Sequence, residues 1–309
     1  MLRNYIAIAR PDHWFKNIFM LPGIALGLYF YPHGVTGTVA LHIVLAFISA
    51  SLLASANYTI NEWLDADFDR HHPQKKNRPS VSGLITRTGA WTQWLLLAVV
   101  GLVLAYQIGR VYFYLSLFFI FMGLCYNVPP LRTKEIAYLD VLTESINNPI
   151  RLLLGWSAVL TAMLPPSSII ISYWMGGAFL MAVKRYAEYR HIDDPKQAAL
   201  YRSSFLTYTE NSLLLSAFAY ALTCTFLLGI FLIKYRVEYI LSFPFIALLF
   251  VYYLALAFKE EPVAQTPEKL YRERGFFTYS IFLVLLIVLL SLVDIPTLEI
   301  LLVTLDLPS

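Results

Sequence analysis

An acidic segment in the first quarter of the chain carries side chains suited to binding a divalent cation. Asn57, Asn61, Asp65 and Asp69 follow one another at intervals that repeat along one face of a helix. Mg²⁺ prefers oxygen ligands and usually binds through one or two carboxylates together with substrate phosphates. We therefore predict a magnesium site with Asn61, Asp65 and Asp69 as ligands, and with the two aspartates as catalytic residues. The alternative is a solvated acidic helix end.

Basic residues follow these carboxylates within the same polar segment. Lys75 and Arg78 are candidates for binding the phosphates of a donor. Arginine can grip phosphate with two parallel hydrogen bonds, whereas lysine acts as a point charge. For Lys75 and the adjacent Lys76, the usual excess of cations on one side of a membrane is an equally good explanation.

A second polar face recurs near the middle of the chain. Asp140, Glu144, Asn147 and Arg151 share one side of a predicted helix inside an apolar region. Ionisable residues in such a region are costly and normally face a cavity or a partner. We predict that Asp140 is catalytic, that Asp140 and Glu144 bind a second Mg²⁺, and that Arg151 binds the donor about 16 Å deeper than Asp140. The alternative for Arg151 is a structural ion pair, for example with Glu144.

Two further groups of basic residues are candidates for donor binding. Lys184 and Arg185 lie one helical turn before Glu188, and Lys16 lies in the N-terminal segment R-P-D-H-W-F-K-N. A basic helix end with an ion pair to Glu188 is the alternative for the first group. An interfacial anchor of tryptophan and lysine is the alternative for the second.

The elements that position these residues must lie in lipid. The chain has 309 residues, of which 58% are hydrophobic, and its mean hydropathy is +0.62, which is too apolar for a soluble globule. Apolar runs of membrane-spanning length predict an all-α, polytopic fold of about nine transmembrane helices. They cover 17–31, 40–62, 90–107, 111–130, 138–159, 167–186, 211–233, 238–258 and 277–302. We expect residues 1–309 to form a single domain, because no linker or low-complexity tract interrupts them.

The distribution of lysine and arginine predicts how this domain lies in the membrane. Arg151 lies inside a predicted span, and Arg110, Lys234 and Arg236 lie in loops on one side of the membrane. All other lysine and arginine residues lie in the alternate loops, on the opposite side. Positive residues accumulate on the cytoplasmic side, so we expect the N-terminus and the active-site loops to be cytoplasmic. The basic residues follow membrane sidedness and form no single basic stripe, which excludes nucleic acid as a partner. The expected partners are membrane lipids. Oligomeric state is left open.

These motifs resemble the UbiA prenyltransferase superfamily over essentially the whole chain. The family signature N-D-x-x-D-x-x-x-D reads here as N-E-W-L-D-A-D-F-D over 61–69, with Glu62 in place of the usual aspartate. A basic R-P-x-x-S-G pattern follows at 78–83. The second acidic motif corresponds to a loop at 126–134 followed by Asp140 and Glu144, where Glu144 replaces the usual final aspartate. The resemblance implies nine transmembrane helices and Mg²⁺-dependent transfer from a diphosphate donor to a lipid or lipophilic acceptor.

Within the superfamily, two motifs resemble the branch of decaprenyl-phosphate phosphoribosyltransferases. They are R-P-x-x-W-x-K-N at 10–17 and K-R-x-x-E at 184–188. This resemblance implies phosphoribosyl diphosphate as donor and a polyprenyl phosphate, an isoprenoid lipid, as acceptor. An acceptor phosphate is already an anionic nucleophile and needs no general base, while the donor's additional phosphate needs extra cations.

Two alternatives follow from the same residues. One is transfer of a polyprenyl group from its diphosphate to an aromatic or other lipophilic acceptor, which uses the same magnesium chemistry. A long apolar donor channel favours this reaction, whereas a polar pocket with additional cations favours phosphoribosyl transfer. The other is an ion-coupled transporter. It is disfavoured because the acidic residues gather at one end of the predicted spans.

Overall fold

All the regular secondary structure of the described chain is helical, as the sequence predicts. A computed structural model describes residues 2–31, 34–70, 75–192, 202–259 and 272–298, and these ranges contain no β-strand. Seven helical segments within them are long and apolar enough to cross a membrane. The predicted all-α membrane fold is thus confirmed.

The chain divides into two compact units. The first comprises Met1–Pro165 and Asp194–Tyr208, and the second comprises Pro166–Asp193 and Thr209–Ser309. In the first, the helices are α1 (Leu2–Ala9), a 3-10 helix (Pro11–Met20), α2 (Leu21–Phe30), α3 (Gly37–Leu64), α4 (Ala66–Asp69), α5 (Arg87–Ile108), α6 (Arg110–Asn127), a 3-10 turn (Thr133–Glu135), α7 (Leu139–Ser145), α8 (Asn147–Val159) and a 3-10 turn (Ser203–Leu206). That residues 1–309 act as a single domain stays a prediction.

The second unit contains the remaining long helices. They are α9 (Ser167–Ile192), α10 (Glu210–Tyr235), a 3-10 helix (Val237–Ser242), α11 (Phe243–Leu256) and α12 (Arg274–Leu292). Helices α9 and α10 pack against each other, and the Ser172 hydroxyl donates to the Cys224 carbonyl over 3.0 Å. Arg236 caps the C-terminal end of α12 by donating hydrogen bonds to the carbonyls of Leu290 and Val293.

Two of the predicted spans are divided into shorter helices. The span predicted at 17–31 combines the end of the 3-10 helix with α2, and the span predicted at 138–159 is interrupted between α7 and α8. Pro149 explains the second interruption because proline has no N–H to donate to the carbonyl four residues earlier, at Ser145. The break lies between Glu144 and Arg151, so the two residues occupy separate helices.

Helix α3 is the centre of the first unit. It packs against α5, α6 and α8, and the side of α3 that faces these helices is built from small buried residues such as Ala46, Ser49 and Ala50. Small residues let helix backbones approach closely in a membrane, and hydroxyl groups add hydrogen bonds between helices. The Ser49 hydroxyl donates to the Gly101 carbonyl over 2.8 Å, and the Tyr112 hydroxyl donates to the Ala46 carbonyl over 2.8 Å.

Glycines bring the N-terminal segment into backbone contact with α8. A Cβ atom added at Gly23 would lie 2.0 Å from the Leu152 carbonyl oxygen, and one added at Gly155 would lie 2.1 Å from the Met20 carbonyl oxygen. Both obstacles are backbone atoms, which cannot rotate away. The crossing therefore requires glycine on each side, and it fixes the 3-10 helix and α2 against the helix that carries Arg151.

We predict that Gly155→Ala lowers the stability of the protein by about 1–3 kcal/mol, because the added methyl group forces the two backbones apart. The measurement is thermal unfolding of purified protein in detergent. Gly229→Ala in α10 is the matched control, because no atom lies within 4 Å of the added Cβ. Equal unfolding temperatures for the two variants would contradict the close crossing.

Candidate active site

The predicted polar face at the end of α3 continues through a break in the helix. Asp65 separates α3 from α4, yet its N–H donates to the Asn61 carbonyl over 3.0 Å, and the Asp69 N–H donates to the Asp65 carbonyl over 2.8 Å. These bonds preserve the helical spacing of the three residues. The Asn61 amide also donates to Asp65 Oδ2 over 3.3 Å and to Asn127 Oδ1 over 2.6 Å. Asn61 thereby ties this acidic end to the end of α6.

Asp65 is held by basic residues from the loop after α6. The Lys134 ammonium donates to Asp65 Oδ1, and Arg132 Nη2 donates to the same oxygen over 3.0 Å. Lys134 is only 6% exposed, and burial lowers its pKa to about 8 although the Asp65 carboxylate opposes this change. Burial also acts to raise the pKa of Asp65, but Lys134 and Arg132 outweigh it and hold that pKa below its usual value.

Asp69 and Glu62 belong to a chain of alternating charges. Arg78 Nη1 donates to Asp69 Oδ2 over 2.5 Å, and its Nε lies 4.0 Å from Glu62. Arg10 then donates to Glu62 Oε2 from Nη2 over 3.0 Å and from Nε over 3.2 Å. Lys75 Nζ lies 3.9 Å from Asp69 Oδ1. Lys75 and Arg78, the predicted phosphate-binding residues, therefore both contact Asp69, a predicted metal ligand. Glu62 lies between Arg78 and Arg10 and so links this group of charges to the N-terminal segment.

The second acidic group lies on α7. Asp140 is fully buried, and it accepts hydrogen bonds from the Tyr208 hydroxyl over 2.6 Å and the Ser204 hydroxyl over 3.2 Å. Arg202 Nη1 lies 3.6 Å from Asp140 Oδ2. Glu144 accepts a hydrogen bond from the Tyr126 hydroxyl over 2.9 Å. Hydroxyl groups thus donate to both carboxylates, and Arg202 adds a positive charge beside Asp140.

The two acidic groups are brought together by the loop after α6. Lys134, which contacts Asp65, lies with its Nζ 5.9 Å from the ring centroid of Tyr126, and the hydroxyl of the same ring contacts Glu144. Arg202, beside Asp140, also helps to lower the pKa of Asp65. The predicted walls on α3 and α7 therefore face a shared set of cations.

Arg151 lies in the interior of the first unit, among polar partners that we name the interior polar group. This group consists of Asn17, Ser51, Asn147 and Arg151. Arg151 is 5% exposed, and it donates from Nε to Asn17 Oδ1 over 3.2 Å and from Nη1 to the Asn147 carbonyl over 3.4 Å. Its guanidinium also lies 5.2 Å from the ring centroid of Phe119. Lys16 lies elsewhere, with its Nζ 5.7 Å from the ring centroid of Tyr58.

Lys184 and Arg185 belong to α9 of the second unit. Arg185 is 1% exposed, and its Nη1 donates to Glu188 Oε2 over 3.0 Å. Lys184 is half-buried. The structural alternative named an ion pair of Glu188 with Lys184, four residues earlier; the observed pair joins Glu188 to Arg185, three residues earlier. The donor-binding role of both basic residues stays a prediction.

Sequence reasoning assigned no site role to several residues that contact the predicted ligands. They are Arg132, Lys134, Asn127, Arg202, Ser204 and Tyr208. The loop at 126–134 was recognisable from the family resemblance, so Lys134 had a signal. Ser204 and Tyr208 had none, because ordinary polar residues far along the chain reveal no contact to Asp140.

The donor set is consistent with Mg²⁺ held jointly by protein and phosphate. Within the described ranges, no group of three or more His, Cys, Asp or Glu side chains forms a metal cluster. The predicted ligands nevertheless supply only oxygen atoms, and Mg²⁺ needs one or two carboxylates when phosphates and water complete its shell. Glu62 Oε1 is buried without a hydrogen-bond partner among the described residues, so an oxygen acceptor remains beside Asp65 and Asp69.

Comparison with known proteins gives a consistent result. Residues 19–281 match the UbiA prenyltransferase family. The decaprenyl-phosphate phosphoribosyltransferase of Mycobacterium tuberculosis is 29% identical over 218 residues, which cover 69% of this chain and 68% of the relative. The protoheme IX farnesyltransferase 1 of Bacillus cytotoxicus is 26% identical over 183 residues, which cover 57% and 58% of the two chains. A UbiA homolog from Archaeoglobus fulgidus, solved with DMAPP and Mg²⁺, superposes with a TM-score of 0.70 at 19% identity and covers 94% of this chain and 100% of its own.

We predict that Arg10→Gln lowers the stability of the protein by about 2 kcal/mol, because Glu62 is buried and loses a charged hydrogen-bond donor. The double variant Arg10→Gln with Glu62→Gln should recover most of this loss. Thermal unfolding of the variants measures both effects. The matched control is Arg70→Gln. The Arg70 side chain is 61% exposed in its ion pair with Asp67, and exposed ion pairs contribute little to stability. Additive losses in the double variant would contradict the direct contact.

Proposed function

Because the chain belongs to the UbiA prenyltransferase family and is thus a membrane transferase, we propose that it transfers 5-phosphoribose from phosphoribosyl diphosphate to a polyprenyl phosphate. A phosphate oxygen of the lipid forms the new bond to the ribosyl carbon while the bond from that carbon to the diphosphate breaks. The bonding electrons leave with the diphosphate. No proton has to be removed from the acceptor, because its phosphate is already an anion.

The residues at the ends of α3 and α7 would hold the diphosphate. Asn61, Asp65, Asp69, Asp140 and Glu144 would bind Mg²⁺, which neutralises charge on a leaving diphosphate. The carboxylates of Asp65 and Asp69 contact basic side chains that can turn toward phosphate oxygens: Lys75, Arg78, Arg132 and Lys134. Cations fixed beside the leaving group stabilise the negative charge that develops there.

The interior polar group is the observation that favours phosphoribosyl diphosphate over a prenyl diphosphate as donor. A prenyl chain requires an apolar channel, because it cannot form hydrogen bonds with polar side chains buried around it. Here the interior of the first unit contains the guanidinium of Arg151 with the amide of Asn17. The polar groups of a second phosphate or of a sugar suit an interior of this composition better than a hydrocarbon chain does. This observation supports a sugar-phosphate donor.

Prenyl transfer from a polyprenyl diphosphate to an aromatic or other lipophilic acceptor is the second candidate. It is favoured by the similarity to a protoheme IX farnesyltransferase. The magnesium site would be the same in both reactions, so only the donor interior distinguishes them. For either reaction, we also propose that the N-terminus and the acidic ends of α3 and α7 face the cytoplasm, because lysine and arginine are concentrated on that set of loops.

A donor assay decides between the two reactions. Purified protein with Mg²⁺ is incubated with radiolabelled phosphoribosyl diphosphate and a polyprenyl phosphate, and in parallel with radiolabelled prenyl diphosphate and a hydroxybenzoate. We expect label in a phosphoribosyl lipid in the first reaction. A prenylated aromatic product as the only labelled lipid would contradict the proposal and establish the second candidate.

We predict that Asp65→Asn and Asp69→Asn each abolish turnover, because an amide replaces a carboxylate that binds the cation. Asp67→Asn is the matched control: Asp67 lies between the two residues, but its side chain is 84% exposed and pairs with Arg70. Activity is measured on proteins whose unfolding temperatures match the wild type. Wild-type turnover in a folded Asp65→Asn or Asp69→Asn variant would exclude that carboxylate from the site.

A further inference from the structure

Lys16 lies on a boundary between buried and exposed faces of the 3-10 helix at Pro11–Met20. Residues three apart share a face in such a helix. One face carries Asn17, which is buried, and the next carries Phe15 and Ile18, which are 50% and 58% exposed. Lys16 lies between them and is half-buried. Exposed apolar side chains of a membrane protein contact lipid, so Lys16 lies at the border between protein and lipid.

The backbone position of Lys16 is fixed by its neighbours on both sides. The Trp14 indole donates to the Ser55 hydroxyl of α3 over 2.8 Å, and the Asn17 amide donates to the Ser51 hydroxyl of α3 over 2.9 Å. Ser51 and Ser55 are about one turn apart on α3. The 3-10 helix is thus held along α3 at two points, and Lys16 lies between them in the chain.

The ammonium group of Lys16 faces an aromatic ring. Its Nζ lies 5.7 Å from the ring centroid of Tyr58 on α3. The face of an aromatic ring attracts a cation and so orients it, but the ring carries no net negative charge. Within the described ranges, no carboxylate forms an ion pair with Lys16. No described side chain therefore neutralises this charge at the border with lipid.

The same ring connects Lys16 to the acidic end of α3. The Arg10 guanidinium lies 5.9 Å from the ring centroid of Tyr58, and Arg10 also donates to Glu62 over 3.0 Å. Tyr58 precedes Glu62 by about one helical turn and Asp65 by about two. An anion bound by Lys16 would therefore lie close to the predicted metal ligands.

The chemistry of the two proposed substrates decides which of them suits this position. Phosphoribosyl diphosphate is a water-soluble polyanion and approaches from the aqueous side. A polyprenyl phosphate carries its anionic group at the end of a hydrocarbon chain that stays in the bilayer. Its binding site needs a cation next to apolar surface that faces lipid. Lys16, beside Phe15 and Ile18, provides this combination.

We propose that Lys16 binds the phosphate of the lipid acceptor, whose hydrocarbon chain lies against the exposed face of the 3-10 helix that carries Phe15 and Ile18. This role replaces the donor role that the sequence suggested for Lys16. The inference rests on the proposed phosphoribosyl transfer, in which the acceptor is a polyprenyl phosphate. The alternative is a lysine that extends to the head groups of any anionic lipid and anchors the helix there.

The decisive variant is Lys16→Gln, which removes the charge and keeps a polar side chain. The KM for polyprenyl phosphate should rise about tenfold because a charged hydrogen bond is lost, while the KM for phosphoribosyl diphosphate should change less than about twofold. Lys16→Arg keeps the charge and should restore most of the acceptor affinity. An unaltered acceptor KM in Lys16→Gln, or a rise confined to the donor KM, would overturn the proposal.

Arg87→Gln is the matched control for loss of one positive charge. Arg87 begins α5 and is exposed, and its loop is predicted to lie on the same side of the membrane as the N-terminus. We expect both KM values of this variant to equal those of the wild type. An equal rise of the acceptor KM in Arg87→Gln and Lys16→Gln would indicate a general effect of surface charge and would overturn the assigned site.

Variants of Tyr58 test how Lys16 is oriented. Tyr58→Leu removes the ring and should raise the KM for polyprenyl phosphate about threefold, because the contact that orients the ammonium group is lost. Tyr58→Phe keeps the ring and should have the acceptor KM of the wild type. Equal acceptor KM values for the two variants would overturn the assigned role of the ring.

Binding without turnover separates this proposal from the proposed function. Wild-type and Lys16→Gln proteins in phosphatidylcholine nanodiscs are titrated with polyprenyl phosphate and with the corresponding polyprenol. We expect Lys16→Gln to weaken binding of the phosphate about tenfold and to leave binding of the polyprenol unchanged. Equal binding of polyprenyl phosphate by the two proteins would overturn the site.

Competition with phosphatidylglycerol distinguishes the acceptor from other anionic lipids. We expect an equal concentration of phosphatidylglycerol to leave polyprenyl phosphate bound to the wild-type protein. Its displacement would establish a general site for anionic lipids and overturn the acceptor role. If binding depends on Lys16 but no phosphoribosyl lipid forms in the donor assay, the proposed transfer is overturned and the lipid-phosphate site is supported.

Discussion

The carboxylates at the end of α3 are partly or fully withdrawn from water, and cations from other segments of the chain face each of them. Asp65 is paired with Lys134 and Arg132, Asp69 with Arg78, and Glu62 with Arg10. Burial of an unpaired charge costs far more than a pair with good geometry. The same pairs therefore fix the loop after α6, the segment after α4 and the N-terminal segment around one end of the bundle. If a diphosphate and magnesium ions bind here, the cations could pair with the phosphates and the carboxylates with the metal. No additional protein charge would have to be buried.

Close backbone packing supplies the second condition for the site. Gly23 and Gly155 bring the N-terminal segment against α8, and the same segment carries Arg10 to Glu62 and Asn17 to Arg151. The N-terminal segment thus contributes contacts both to the acidic end of α3 and to the interior polar group. In the lipid interior, such polar contacts rely on precise approach, because no water is available to bridge a gap.

Much of this arrangement could be predicted from the sequence, because it follows from local spacing. The face formed by Asn61, Asp65 and Asp69 depends on helical periodicity, and the membrane class depends on hydrophobic content. The interruption between α7 and α8 was missed because a single proline in an apolar run does not always divide a helix. The hydroxyl partners of Asp140 were unpredictable for another reason: Ser204 and Tyr208 are linked to it only by the fold. The contact of Arg151 with Asn17 could not be predicted from local spacing either, because the two residues are 134 positions apart in the chain.

The hydrogen bonds to Asp140 also bear on how the protein is made. Its partners Arg202, Ser204 and Tyr208 return to the first unit only after the whole of α9 has been synthesised. During synthesis, Asp140 is made 64 residues before Ser204 and 68 residues before Tyr208. A buried carboxylate without donors is costly, so we expect Asp140 to remain near the membrane surface until these partners arrive. The order in which the chain emerges therefore delays completion of this polar cluster, and a nascent chain that ends before residue 202 lacks all three of these partners of Asp140.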